Sequence, residues 1–154
     1  MARKKENPTP RHATAEEQNV MGLRSAVVEQ PVTETLENNY MLLYCMYKMG
    51  LLTGARTKSA NIVGATMHYN PHGDSAIYDT MVRLSKGYGA LLTPFVDSKG
   101  NFGKVYSRDM AWAASRYTEA KLAPICAEIF RDIDKDTVDF VPNYDNSTTE
   151  PTLL

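Results

Sequence analysis

Cysteine is scarce in this chain. Cys45 and Cys126 are the only two in 154 residues, and their separation fits no metal-ligand spacing. That excludes a cysteine metal site and leaves two small, buried residues of a reducing compartment as the expectation. Net charge is also scarce, at −1, so the chain as a whole does not advertise nucleic-acid binding. Any DNA-facing surface has to come from uneven placement of charge. No apolar run approaches the length of a membrane span, and no signal peptide is visible, so no membrane partner is expected and the cytoplasm is the expected location. There is no internal repeat, no low-complexity tract, no glycine-rich loop that would cradle phosphates and no convincing carboxylate metal site. What remains is ordinary: 43% hydrophobic and 23% charged residues, enough for one domain with a core.

Residues 1–31 read as a flexible arm. Pro8, Pro10 and Pro31 punctuate a polar stretch without apolar periodicity, and the basic cluster Arg3-Lys4-Lys5 reads first as part of a solvated tail and only second as a loose contact with DNA phosphate or a partner subunit. A winged-helix-like domain is expected over 32–140, followed by an irregular tail over 141–154. Leu36, Tyr40, Leu43, Tyr44, Tyr47 and Leu51 fall on one face of a helix over 33–52, stopped by Gly54. A second helix over 58–70 turns Ile62, Ala65, Thr66 and Tyr69 inward. Pro71-His72-Gly73 breaks it, Asp74 suits an N-cap, and a third helix runs to Lys86 with Ile77, Met81 and Leu84 inward. Helix, glycine-containing turn, helix is the helix-turn-helix pattern.

The outer face of the third helix carries Ser75, Asp79, Arg83 and Lys86. Its N-terminus offers unpaired N–H groups to a phosphate, and Arg83 and Lys86 suit phosphate contact. Candidate strands Ala90–Val96 and Phe102–Tyr106 flank an Asp97-Ser-Lys-Gly100 turn. A hairpin after a helix-turn-helix makes a winged-helix arrangement, with Lys99 and Lys104 near its tip. A last helix from Glu119 to Ile133 would bury Leu122, Ile125, Cys126, Ile129 and Ile133. Asp132, Asp134 and Asp136 resemble a calcium loop. That loop needs Gly at its sixth position and Glu at its twelfth, where Thr137 and Asn143 stand, so the calcium reading fails. The expected fold class is mainly α with a small β hairpin.

One stretch organises the rest. After Lys99-Gly100-Asn101-Phe102-Gly103 the chain passes the small residues Ala111, Ala113 and Ala114 and delivers Arg116-Tyr117 at an element boundary. A phenol, with pKa near 10, is a poor nucleophile at neutral pH. A guanidinium beside it favours the phenolate and would steady the charge on an attacked phosphate. On its own such a pair is far more often an ordinary half-buried tyrosine beside a surface arginine.

Four blocks narrow this: Lys58-Ser-Ala-Asn-Ile-Val-Gly64, Asn70-Pro-His-Gly-Asp-Ser-Ala-Ile-Tyr-Asp79, Val96-Asp-Ser-Lys-Gly-Asn-Phe-Gly103 and Ala114-Ser-Arg-Tyr-Thr-Glu119. In order and spacing, from about Thr35 to the C-terminus, they resemble the A subunit of bacterial type IIA topoisomerases, the family of DNA gyrase and topoisomerase IV. The motifs do not separate those two enzymes. The resemblance implies an ATP-dependent enzyme that cleaves and rejoins double-stranded DNA through a 5′-phosphotyrosyl bond. Tyr117 would be the attacking residue and Arg116 its partner. By the resemblance, Ser75 and Asp79 match the serine and acid that hold quinolone drugs; by their charge and placement, Lys58, His72, Arg83 and Lys104 are the residues expected to contact DNA, weakly and with little sequence preference. The implied partners are duplex DNA, a second A subunit, and a B subunit that binds both Mg²⁺ and ATP; no metal is assigned to this chain.

Against the family pattern, Met41 runs straight into Leu42 where a helix and a basic loop are expected, and the chain ends at Leu154 where the family's breakage-reunion domain continues. Two other readings therefore stand beside the enzyme: a winged-helix DNA-binding module without chemistry, and an inactive product of a damaged gene.

Overall fold

In the computed structural model, which describes residues 32–71, 73–87, 92–104 and 111–152 with side chains from residue 39, helix α1 spans Val32–Lys48. The chain divides into two units between Glu34 and Thr35, and every element after α1 belongs to the body that starts at Thr35. The expected arm 1–31, with its basic cluster, lies outside the described residues. Met41, Leu42, Leu43, Tyr44, Cys45 and Met46 are all buried, so this part of α1 is enclosed on every side rather than along the one stripe that periodicity predicts. Gly50, not Gly54, ends the helix. At φ +73° it lets its N–H reach the Tyr47 carbonyl while the Leu51 N–H reaches that of Met46, a paired closure that favours glycine at this position.

Strand β1 (Thr57–Lys58) leads directly into helix α2 (Ser59–Thr66), whose buried side is Ser59, Ile62, Val63 and Thr66. After a turn through Gly73, at φ +102°, helix α3 spans Asp74–Leu84 and buries Ile77, Tyr78, Thr80, Met81, Val82 and Leu84. Gly73 occupies the N-cap position and Asp74 is the first helical residue, one place later than its expected cap role. These boundaries fall within a few residues of those expected, because both helices are written in local signals: a 3.6-residue period and a Pro-Gly break.

The β structure differs from expectation. Strand β2 is Val96–Lys99, so Asp97, Ser98 and Lys99 are strand rather than turn. It pairs antiparallel with β3 (Glu119–Leu122), which also pairs with β1, giving sheet order β1-β3-β2. The register sets Lys58 and Lys99 on either side of Glu119, and Asp97 opposite Lys121. Glu119–Leu122 was expected to open a long helix; only α4 (Cys126–Ile129) is α-helical there. Two further features fit the strand rather than the helical stripe. Thr118, Ala120 and Leu122 alternate buried with the more exposed Glu119 and Lys121, the period of a strand. Pro124 lacks an N–H and disfavours helix at the residue before it.

The tail is not irregular. Strands β4 (Phe140–Pro142) and β5 (Thr149–Pro151) form an antiparallel hairpin. Buried Asn143 fastens it, donating to the His68 carbonyl at 3.1 Å and accepting from the Thr148 N–H at 3.2 Å. The body is thus helices with two small antiparallel sheets. Its core joins α1, α2, α3, Val96, Leu122, Cys126, Phe130 and Ile133. Cys45 and Cys126 are both free and buried, as expected, and burial pushes both thiols up, that of Cys126 to about 11. No helix among the described residues is long and apolar enough to cross a membrane.

Candidate active site

Tyr117 sits in a single 3-10 turn, Ser115–Tyr117, just before β3, and is 66% exposed. A tyrosine this open contributes little to a core; its ring is presented outward. The turn is closed by the Tyr117 N–H donating to the Ala114 carbonyl at 2.9 Å. Arg116, beside it, places its guanidinium carbon 4.8 Å from the centre of the Tyr117 ring, within cation–π range. The sequence motif therefore becomes a physical pair: a phenol with a fixed positive charge against its face.

Directly below, the exposed turn is bolted to the body. Thr118 is fully buried, and its hydroxyl lies 2.8 Å from Ser59 Oγ and 2.9 Å from Tyr78 Oη. Tyr78 donates to the Ala113 carbonyl at 2.7 Å, and the Ser59 N–H donates to the Thr118 carbonyl at 3.0 Å. One threonine thus ties the tyrosine turn to the first residue of α2 and the middle of α3. Gly100 completes the seat. At φ +105°, a Cβ there would meet the Thr118 methyl at 3.3 Å and the Tyr117 carbonyl oxygen at 3.4 Å, so only glycine both turns the chain out of β2 and lets this turn close against it.

No sequence signal marks Ser59, Tyr78, Thr118 or Gly100 as a site residue. Buried hydroxyls that lose a partner leave an unsatisfied group costing about 1–3 kcal/mol. Thr118→Val, which keeps the shape and removes the hydroxyl, is accordingly expected to lower the unfolding free energy by about 1–3 kcal/mol in urea titration, and Thr118→Ser to recover most of the loss. A valine variant as stable as the parent would mean that these contacts hold nothing.

The expected DNA-contact residues separate on inspection. Lys58 pairs with Glu119 at 2.9 Å, and Lys99 reaches the same carboxylate at 3.6 Å. The hydrogen bond and charge of Lys58, then the charge of Lys99, hold the Glu119 carboxyl below its ordinary range. Lys58 is therefore partly neutralised by its own sheet, as is Arg56, which grips Asp97 through two contacts of 2.8 Å. Arg83 is exposed on α3 and donates to Thr80 Oγ1 at 3.3 Å; Lys104 is exposed. His72 lies outside the described residues. Ser75 is exposed and Asp79 half-buried, one helical turn apart on α3, with Tyr78 between them pointing the other way into the hydroxyl cluster. Among the described residues, no group of three or more His, Cys, Asp or Glu side chains is placed to hold a metal ion.

Residues 41–154 match the family model for the A subunit of DNA gyrase/topoisomerase IV. The chain belongs to this family. The match begins at Met41, the residue at which the break in the family pattern is expected, and takes in Tyr117 and every other candidate site residue. The chain is 48% identical over 115 residues to the DNA gyrase A subunit of Helicobacter pylori (strain ATCC 700392 / 26695), covering 73% of this chain and 14% of that protein. It is 49% identical over 117 residues to the DNA gyrase A subunit of Campylobacter fetus and 47% identical over 114 residues to that of Mycolicibacterium smegmatis, covering 73% of this chain and 13% of each relative. The chain therefore spans about one seventh of the length of the Helicobacter pylori relative, from the 14% that is covered.

Proposed function

We propose that this chain carries the DNA-cleaving segment of a type IIA topoisomerase A subunit, with Tyr117 as the nucleophile. One observation carries the reading: an exposed tyrosine under a guanidinium, on a turn held rigidly to the helix-turn-helix by buried hydroxyls. The Tyr117 oxygen attacks the phosphorus in line. The Oη–P bond forms as the bond to the 3′ oxygen breaks, the phenolic proton departs, and the released 3′ oxygen takes up a proton. The ester keeps the energy of the broken bond, so resealing is the reverse step. Arg116 supplies positive charge where negative charge accumulates.

The element order supports a winged-helix reading of the fold: α1, β1, α2, α3, β2, β3, with β3 central. Duplex DNA would lie along α3, met by Lys58, His72, Arg83 and Lys104. Ser75 and Asp79 would form the quinolone contact. A B subunit, a cytoplasmic setting and a second A subunit complete the proposal. Mg²⁺, which would neutralise phosphate charge, and ATP belong to the B subunit in this reading. The donor set of the described residues does not fit a metal, and no step here passes through one.

Salt dependence tests the DNA surface. If about three phosphates are neutralised, affinity for a labelled duplex falls roughly fortyfold between 50 and 200 mM salt. Gel shifts showing no binding at low salt, or binding indifferent to salt, would remove the DNA reading.

A further inference from the structure

Trp112 is the single tryptophan of the chain, and it is 42% exposed. Its backbone is held on both sides. Asn101 Nδ2 donates to the Ala111 carbonyl at 3.2 Å, and the Ala113 N–H donates to the Asn101 carbonyl at 2.8 Å. The Ala113 carbonyl in turn accepts from Tyr78. The ammonium of Lys86, just past the end of α3, sits 5.4 Å from the centre of the indole ring. The nucleophilic chemistry of Tyr117 uses neither residue.

An exposed indole on a fixed backbone, with a cation at its face, has the chemistry of a nucleotide site. A base stacks on the ring, and the cation meets the neighbouring phosphate. Trp112 precedes Tyr117 by five positions, so their Cα atoms are at most about 17 Å apart. That span keeps a base on Trp112 and a phosphate at Tyr117 within one short stretch of DNA. An intact duplex hides the faces of its bases, so the ligand has to be a base freed from the stack at a kink, a nick or a single-stranded stretch.

We propose that Trp112 and Lys86 form a stacking site for an unstacked DNA base close to the phosphate that Tyr117 attacks. The inference rests on the proposed DNA-binding function, and one titration separates the two. The whole 154-residue chain is titrated with a fluorescein-labelled single strand, a nicked duplex and an intact duplex. Label anisotropy reports binding, and tryptophan emission reports Trp112 alone.

The expected result is emission quenched by the single strand and the nicked duplex, with little change on the intact duplex. Trp112→Ala weakens single-strand binding roughly tenfold, and Trp112→Phe retains most of it. Lys86→Ala lowers the slope of log affinity against log salt by roughly 0.7 for the single strand. Anisotropy that shows DNA bound while emission stays constant overturns the stacking site and leaves the DNA-binding reading intact. No binding of any of the three DNAs overturns both. Quenching in the unaltered chain does not depend on the variants folding.

Discussion

Tyr117→Phe is expected to abolish covalent joining to DNA while leaving the fold and the DNA affinity unchanged. The phenylalanine keeps the ring that Arg116 covers and removes the one atom that can bond to phosphorus. Because Tyr117 is exposed, the substitution leaves no buried partner unsatisfied. The assay takes a full-length DNA gyrase A subunit in which residues 41–154 of this chain replace the matching segment, adds a B subunit, Mg²⁺, ATP and supercoiled plasmid, and traps adducts with detergent. Loss of a nucleophile removes on the order of a thousandfold or more of the rate, and Arg116→Ala, which removes one charge-stabilising group, about a hundredfold. Adduct that persists in the phenylalanine variant would exclude Tyr117 as the attacking residue. The 154-residue chain in place of the chimera is expected to form little or no adduct. Phosphoryl transfer needs the phosphate held in line and its charge neutralised at once, and the basic loop expected between Met41 and Leu42 is not part of its sequence.

The second large effect concerns β3, which begins two residues after the tyrosine. Leu122→Ala is expected to cost about 2–5 kcal/mol of unfolding free energy, the usual range for emptying a core leucine site. Leu122 is almost wholly buried, pairs with Val96 and donates its N–H to the Leu51 carbonyl. Lys121→Ala, on the outer face beside Asp97, is expected to cost at most about 1 kcal/mol. Ala120→Leu tells strand from helix. Ala120 has no exposed surface in the strand and lies off the apolar stripe of the helix predicted for this region, so overpacking by about 1–3 kcal/mol is expected only if residues 119–122 are extended. Denaturant unfolding reads all three; a neutral Ala120→Leu together with a costly Lys121→Ala would reverse the assigned faces of the strand.

Much of the site was legible before any coordinates. Helices α2 and α3 announce themselves through short-range signals, the apolar period and the break at Pro71 and Gly73, because a helix bonds residues four apart. The burial of α1 was legible too, though its period showed one side of an element enclosed on all sides. Arg116-Tyr117 stood out through its place in a series of blocks, and membership of the DNA gyrase/topoisomerase IV A-subunit family follows from sequence alone.

Only the tertiary structure decided the surroundings of the tyrosine. Residues 119–122 carry an apolar spacing that fits a helix and an alternation that fits a strand; the choice falls to the pairing of β3 with β2 and β1, which are distant in sequence. That Lys58 has Glu119, 61 positions away, against its ammonium is likewise invisible in the sequence. The hydroxyls of Tyr78 and Ser59 lie 40 and 59 positions from that of Thr118, and no period links them. Sequence pattern reports which local bonds a segment can make and which side seeks a core. It is silent on which distant hydroxyl or carboxylate arrives at a given side chain, since that depends on how the elements pack once they meet.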